Sequence, residues 1–422
     1  MKKVIWGLFL LLIFSNAFAF EKTILPNQTK LILKPETSHE IVALQCFIPG
    51  LLNQENVTQS GLAQLTLEAI LKGTKHKTEK EIFNALEPFG SKLDVSLARD
   101  FGLITLISTK DQFEKDLALF LEILKEPAFD TKEIQKLKLT LLQNQKSRQE
   151  DPFTLAMDKL QKELYPHHPY GKIIVGETKT MTALTTKDVQ SFYTQTISKT
   201  PLIISVVGNF NLAKTKQTLT NALRSWGKDV EIKTFKTNTN LQNKTIVLKQ
   251  KMNAVNFLMA YSAPSGASKD FVTLQVLNNI LGGKSSSRIF SQIREAKGLG
   301  YALGSFYPLR KEGSQFVLYI TVDPKAKKEF PHLFLKIVND LKNKPVSESE
   351  LQAAQTHLKS KFLMDHQMTS QRAWYLGLYE NVGLQAAFDD DYEKQIDAIT
   401  AKDIQKAAQK YLTHYLLIRQ EQ

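Results

Sequence analysis

Cysteine is almost missing: Cys46 is alone in 422 residues. One thiol builds neither a disulfide framework nor a thiolate zinc site within a single chain, so both are excluded. Cys46 lies in the apolar run Ile41–Ile48, which has strand character, and reads as a buried, inert thiol rather than a nucleophile. Histidine is sparse as well. The eight histidines stand at 39, 76, 167, 168, 332, 357, 366 and 414. No two have the i,i+4 spacing that sets two imidazoles one helical turn apart for a metal. His167 and His168 are adjacent, so their side chains diverge, and a structural role is expected for them. Nucleic-acid signatures are also wanting. The 55 Lys+Arg against 42 Asp+Glu give a formal charge of +13, yet they are spread along the chain with no Arg-rich run, finger spacing or aromatic-basic motif. That charge reads as a solvated surface, with no nucleic-acid partner. With 42% hydrophobic and 23% charged residues the chain is not disordered, and its length calls for two domains rather than one core.

What is present begins at the N-terminus. Lys2 and Lys3 precede an apolar run from Val4 to Phe14, followed by Ser15, Asn16 and Ala17-Phe18-Ala19. A basic start, a short apolar core and a small-x-small site are the order of a secretory signal peptide, here expected at 1–19 with cleavage after Ala19. The run is too short to span a bilayer, and no other stretch approaches that length, so no membrane span is expected. The signal has a bacterial look, and the chain from Phe20 onward is expected in the periplasm.

The same order of elements then occurs twice. Thr185-Thr186-Lys187-Asp188 recurs 215 residues later as Thr400-Ala401-Lys402-Asp403, each a Thr N-cap with Asp three positions on. Glu126-Pro127 with Thr131-Lys132-Glu133-Ile134 is echoed by Lys344-Pro345 with Glu348-Ser349-Glu350-Leu351. Amphipathic helices precede these echoes at Gln112–Leu124 and Lys328–Leu341. Strand pairs are expected at Lys30–Leu33 with Ile41–Ile48, and at Thr245–Leu248 with Val255–Ser262. Later strands are expected at Leu103–Ser108, Leu202–Val207, Gly313–Val322 and Tyr415–Ile418. Short connections argue for antiparallel pairing with helices on one face. The reading is α+β: two duplicated domains, 20–230 and 245–422, facing one another across a cleft and joined by a polar linker at 231–244. Two near-motifs are set aside. Asn278-x-x-x-x-Gly283-Lys284-Ser285 lacks the first glycine of a phosphate loop and reads as a helix C-cap turn. Asp389-Asp390-Asp391 reads as a solvated acidic turn, without calcium-loop spacing.

Some of these residues carry a resemblance. The string from Gly61-Leu62-Ala63-Gln64 through Leu67-Glu68 to Gly73-Thr74 resembles the signature helix of the insulinase-like (pitrilysin, M16) zinc peptidase family. So do His168-Pro169-Tyr170-Gly171 with Gly176, and, in the second half, Ser287-Arg288-Ile289-Phe290 with Ile293-Arg294-Glu295 through Gly300-Tyr301. The resemblance covers nearly all of the chain after residue 19 and implies that family's duplicated fold. It also implies a His-x-x-Glu-His zinc motif, which is not here. Its three positions hold Gln64, Leu67 and Glu68. The family's third ligand, a Glu some way further on, falls near Asn144, where Gln143-Asn144-Gln145-Lys146 offers no carboxylate between Glu133 and Glu150. Gln64 and Glu68 remain i,i+4 neighbours, but an amide is a poor zinc ligand and Leu67 is no base. No metal is expected in this chain, and no catalysis by it alone.

The second-half motif is intact. In the resembling family an Arg and a Tyr seven residues apart reach the substrate carbonyl and the charge developing on it; Arg294 and Tyr301 hold those positions. Guanidinium and phenol are suitable oxyanion donors. The resemblance therefore implies a non-catalytic subunit of a heterodimeric zinc peptidase, with zinc in a His-x-x-Glu-His sister subunit and Arg294 and Tyr301 presented to a peptide substrate. The alternatives are a stand-alone peptide-binding pseudoenzyme, a structural subunit of an envelope complex, or a homodimer with an unrecognised site.

Overall fold

A computed structural model describes residues 20–227, 233–235, 237 and 241–422. The expected signal peptide and part of the expected linker lie outside the described residues. The first half runs β1 (Glu21–Ile24), β2 (Lys30–Pro35), β3 (Ile41–Pro49), α1 (Leu62–Ala69), α2 (Glu79–Leu86), β4 (Lys92–Leu97) and β5 (Phe101–Thr109). It continues through α3 (Phe113–Lys125), α4 (Thr131–Gln149), α5 (Pro152–Leu164), α6 (Thr178–Ala183), α7 (Thr186–Gln195), β6 (Ile203–Gly208) and α8 (Leu212–Leu223). The second half runs β7 (Lys244–Lys249), β8 (Val255–Ala263), α9 (Phe271–Leu281), a π-helical turn at Phe290–Glu295, β9 (Ala302–Phe306) and β10 (Ser314–Val322). Then follow α10 (His332–Asn343), α11 (Glu348–Asp365), α12 (Thr369–Val382), α13 (Phe388–Asp397), α14 (Ala401–Tyr411) and β11 (Tyr415–Glu421).

The strands form a six-stranded sheet, β1-β2-β6-β3-β5-β4, and a five-stranded sheet, β7-β11-β8-β10-β9. Their shared order is the duplication in three dimensions. Both expected strand pairs are corrected by it. β2 and β3 are not neighbours, because β6 lies between them, parallel to β2 and antiparallel to β3; β11 likewise separates β7 from β8. The last strand of each half returns to the centre, where both of its edges find partners and its apolar residues are buried. The remaining pairings are antiparallel, as in β3–β5 with Cys46 opposite Ile104.

The two expected Thr/Asp starts are capping boxes. Thr185 accepts from the Asp188 N–H at 3.2 Å, and Asp188 accepts from the Thr185 N–H at 2.8 Å; Thr400 and Asp403 repeat this at 3.3 and 3.1 Å. The helix expected from Lys328 begins only at His332. Pro331 cannot occupy a helix interior, so Lys328 falls instead in a 3-10 turn, Pro324–Glu329. The Asp389–Asp391 triplet is not a solvated turn but the first turn of α13, where carboxylates complement the helix dipole; Asp389 accepts from His366 at 2.8 Å.

Each sheet carries its own helices on one face and one helix from the other half on the opposite face. α12 crosses the first sheet, packing Ala373, Leu376 and Val382 on Ala43, Phe47 and Val207. α5 crosses the second, packing Ala156, Leu160 and Leu164 on Leu258, Ala260 and Ile418. Covered on both faces, β3 and β8 are buried almost without a break and mostly apolar, instead of alternating. Polar contacts also tie this exchange together: Ser205 donates to the Ala373 carbonyl at 2.6 Å, and Glu380 of α12 pairs with Lys22 at 2.8 Å and Lys30 at 2.7 Å.

Candidate functional site

α1 is short and held at its start. Gly61 precedes it at φ 98°, and Gly176 faces it at φ 79°; a Cβ on Gly176 would lie 2.5 Å from the Gly61 Cα. Both conformation and space therefore demand glycine at this crossing. Two N–H groups at the helix start are met by Glu55, which is 5% exposed and accepts from Gly61 at 3.2 Å and from Ala63 at 2.6 Å. Burial pushes the Glu55 carboxyl up to about 7, against the Ala63 N–H, Lys172 and the Gly61 N–H, which favour the anion. Lys172 donates to the Glu55 and Leu52 carbonyls at 2.6 and 3.1 Å and so fastens the same loop.

Gln64 and Glu68 share the half-buried face of α1, and the Gln64 amide donates to the Glu68 carboxylate. Leu67 is fully buried in the first half's core. Asn144 is exposed on α4, which packs on α1, while its neighbour Gln145 is buried and donates to the Val175 carbonyl at 2.6 Å. The structure thus joins Gln64 to Glu68, turns Leu67 inward and leaves Asn144 at the surface. This donor set does not fit zinc: the carboxylate is taken by an amide, and the position of the base is a core leucine. Among the described residues, no three or more His, Cys, Asp and Glu gather as a metal-ligand group.

Arg294 and Tyr301 lie in the second half. Arg294 is on the π-helical turn, exposed, and donates to the Gly300 carbonyl. The Tyr301 N–H donates to Thr321 at 2.9 Å, which fixes its backbone beside β10, while its side chain is 72% exposed. An aromatic so exposed has no packing role, and both groups are available as hydrogen-bond donors. The hydrogen bonds of each pair stay in its own half of the chain. Two sheet edges adjoin these groups, β9 directly after Tyr301 and β4 beside α1. The sequence reading did not find either strand, although the alternation Lys92-Leu93-Asp94-Val95-Ser96-Leu97 was there to see. A cavity of about 570 Å³, lined by Leu71, Ile82, Phe83 and Leu93, opens beside β4.

His168 belongs to the joint between the halves. Its Nδ1 accepts from the Tyr170 N–H at 3.0 Å, so Nε2 carries the proton toward Glu312 at 2.6 Å. The Tyr170 hydroxyl donates to Asp100 and accepts from the Glu312 N–H at 3.2 Å. Burial pushes the Asp100 carboxyl up, opposed by the Arg310 guanidinium. His167 is exposed and takes no part. Cys46 is buried, and burial raises its thiol far above the ordinary value, as an inert thiol requires.

Comparison with known proteins bears on this pairing of an altered helix with a retained Arg–Tyr motif. The profile of the insulinase family (peptidase family M16) matches residues 32–178, and that of the peptidase M16 inactive domain matches residues 183–358. The chain belongs to the M16 family. Among curated relatives, it is 25% identical over 323 residues to an uncharacterized zinc protease of Rickettsia felis, covering 76% of this chain and 78% of that one. It is 24% identical over 357 residues to the non-peptidase homolog YmxG of Helicobacter pylori, covering 84% and 82%. Its fold matches a protease from Helicobacter pylori with a TM-score of 0.88 at 20% identity, over 96% of this chain and 99% of that one. A peptidase M16 inactive domain from Pseudomonas fluorescens matches with a TM-score of 0.86, also at 20% identity, over 95% and 97%. The fold is that of M16 proteins, and the altered α1 accords with a non-catalytic member. No helix among the described residues is long and apolar enough to cross a membrane.

Proposed function

We propose that this chain is the non-catalytic subunit of a heterodimeric, periplasmic M16 zinc peptidase. The observation that carries the reading is the contrast within one chain: Leu67 is sealed in the core where a base is needed, while Arg294 and Tyr301 stay exposed as donors. A sister subunit with His-x-x-Glu-His supplies the zinc, and this chain closes the chamber. Arg294 and Tyr301 meet the substrate carbonyl there, and their N–H and O–H groups favour the charge that develops on its oxygen. The substrate is an extended peptide lying along a sheet edge, where backbone pairing gives affinity with little demand on sequence.

The test is co-purification with such a sister chain, followed by cleavage of a fluorogenic peptide in the presence of zinc. Arg294→Ala and Tyr301→Phe should each lower kcat by about 10²–10³-fold, the cost of one oxyanion donor, while the complex still assembles. Full activity in both variants sinks the reading. So does failure to bind any His-x-x-Glu-His chain, in which case the alternative is a peptide-binding pseudoenzyme or envelope subunit acting without a peptidase.

A further inference from the structure

The second half contains a cavity that the α1 and Arg294–Tyr301 regions do not use. It lies among α9, α11, α12 and α13 and measures about 210 Å³. That is smaller than the roughly 300–1,000 Å³ of sites for whole drug-sized ligands, so it suits a head group. Phe362, Trp374, Tyr375, Tyr379 and Tyr392 all line it. These rings form a connected wall, with centroids 5.2 Å apart for Phe362 and Tyr392, 4.9 Å for Trp374 and Tyr375, and 5.6 Å for Tyr375 and Tyr379.

One carboxylate stands among the rings. Asp365 accepts from the Tyr375 hydroxyl at 2.9 Å and from Lys361, one turn earlier on α11, also at 2.9 Å. The Lys361 side chain is 60% exposed, so this i,i+4 pair is weak and open to exchange. Burial first, then Asp365, raises the Tyr375 and Tyr392 phenols; burial and Asp389 do the same to Tyr379. His366 stacks on Tyr375 at 4.6 Å and directs its two nitrogens at the Phe362 carbonyl, 2.7 Å away, and at Asp389, 2.8 Å away.

We infer that this aromatic cavity binds an alkylammonium group, whose charge meets Asp365 and whose alkyl carbons pack on the rings. Cations are attracted to ring faces by the ring quadrupole, and the effect is largest where water is excluded. A neutral apolar ligand would gain only the packing. An anion would meet both Asp365 and the ring faces. Lys361 acts as an internal competitor, holding Asp365 until a better-fitting cation enters.

The test is calorimetric titration of the full chain with choline and with n-butylammonium, the latter a surrogate for a lysine side chain. The control is the uncharged carbon isostere of choline. Choline binding with butylammonium silent assigns the site to a quaternary head group; the reverse assigns it to a lysine of a peptide. Asp365→Asn should weaken the binding cation at least tenfold, with unfolding midpoints recorded to show that the fold survives. Lys361→Ala should tighten it several-fold, a gain that a damaged fold cannot produce. Equal binding of the uncharged isostere, no saturable heat with either cation, or an unchanged affinity in Lys361→Ala would overturn the inference.

Discussion

Gly377 of α12 lies against the ring of Phe47 on β3: a Cβ at Gly377 would stand 2.2 Å from the Phe47 Cε2. The contact joins a helix of the second half to the central strands of the first, so it reports on the exchange that makes one body of two halves. Neither side can yield easily, since Phe47 is fully buried and packs on Phe101 at 4.8 Å between centroids. Gly377→Ala should cost about 1–3 kcal/mol by overpacking, read as a lower urea midpoint. Phe47→Leu in the same background should return part of that loss. If Gly377→Ala leaves the midpoint unchanged, the close approach does not hold α12 in place.

The sequence shows some of this architecture and hides the rest for physical reasons. β3 and β8 are legible as apolar runs, and the Thr185 and Thr400 caps are legible because capping is a local transaction over three residues. Which strands are neighbours is not local. Nothing in Ile203–Gly208 or Tyr415–Glu421 says that each strand inserts between two earlier ones. Nor does α12 advertise its partner: Ala373, Leu376 and Gly377 read as any helix face, and Glu380 reads as surface until Lys22 and Lys30 are found against it. The altered positions Gln64, Leu67 and Glu68 were legible through their flanks. What the structure adds is that Leu67 is core and that Gln64 occupies Glu68. Glu55 was missed because its role depends on a loop folding back over a helix start.

Restoring zinc ligands separates metal binding from catalysis. Gln64→His and Glu68→His would set two imidazoles one turn apart on the half-buried face of α1, and Asn144→Glu would offer a carboxylate from α4. The triple variant should hold about one zinc per chain, a common three-ligand catalytic set, measured by elemental analysis after dialysis. It should remain inactive toward peptides, because Leu67 is still present. A triple variant that binds no zinc means that α1 and α4 no longer keep the spacing of a metal site. One that cleaves peptides means that the base is supplied from elsewhere.

The joint between halves rests on the hydroxyl of Tyr170, which serves Asp100 of the first half and the Glu312 N–H of the second. Tyr170→Phe keeps the ring against Tyr165 and His168 but strips the buried Asp100 carboxylate and the half-buried Glu312 N–H of their shared partner. An unsatisfied buried group costs about 1–3 kcal/mol. The loss should appear as lower unfolding stability and as faster hydrogen exchange in Phe101–Thr109 and Ser314–Val322. Exchange that changes in neither strand would show that the hydroxyl is not part of the joint.

Glu55 makes the α1 start sensitive to pH. Its carboxyl is pushed up to about 7 in the folded chain by burial, while in the unfolded chain it titrates near the ordinary value of about 4.3. Between those values the folded state holds the proton and the unfolded state has lost it, so this residue's contribution to stability falls as pH rises, and it levels off above about 7. The full effect across the window is on the order of 3 kcal/mol. Glu55→Gln keeps an oxygen for the Gly61 and Ala63 N–H groups but cannot ionise. Subtracting its urea stability from that of the native chain cancels every other titrating group. The difference should favour the variant increasingly from pH 5 to pH 7.5. A difference that stays flat over that range would place the Glu55 carboxyl at an ordinary value, and α1 would then be capped by a permanent anion.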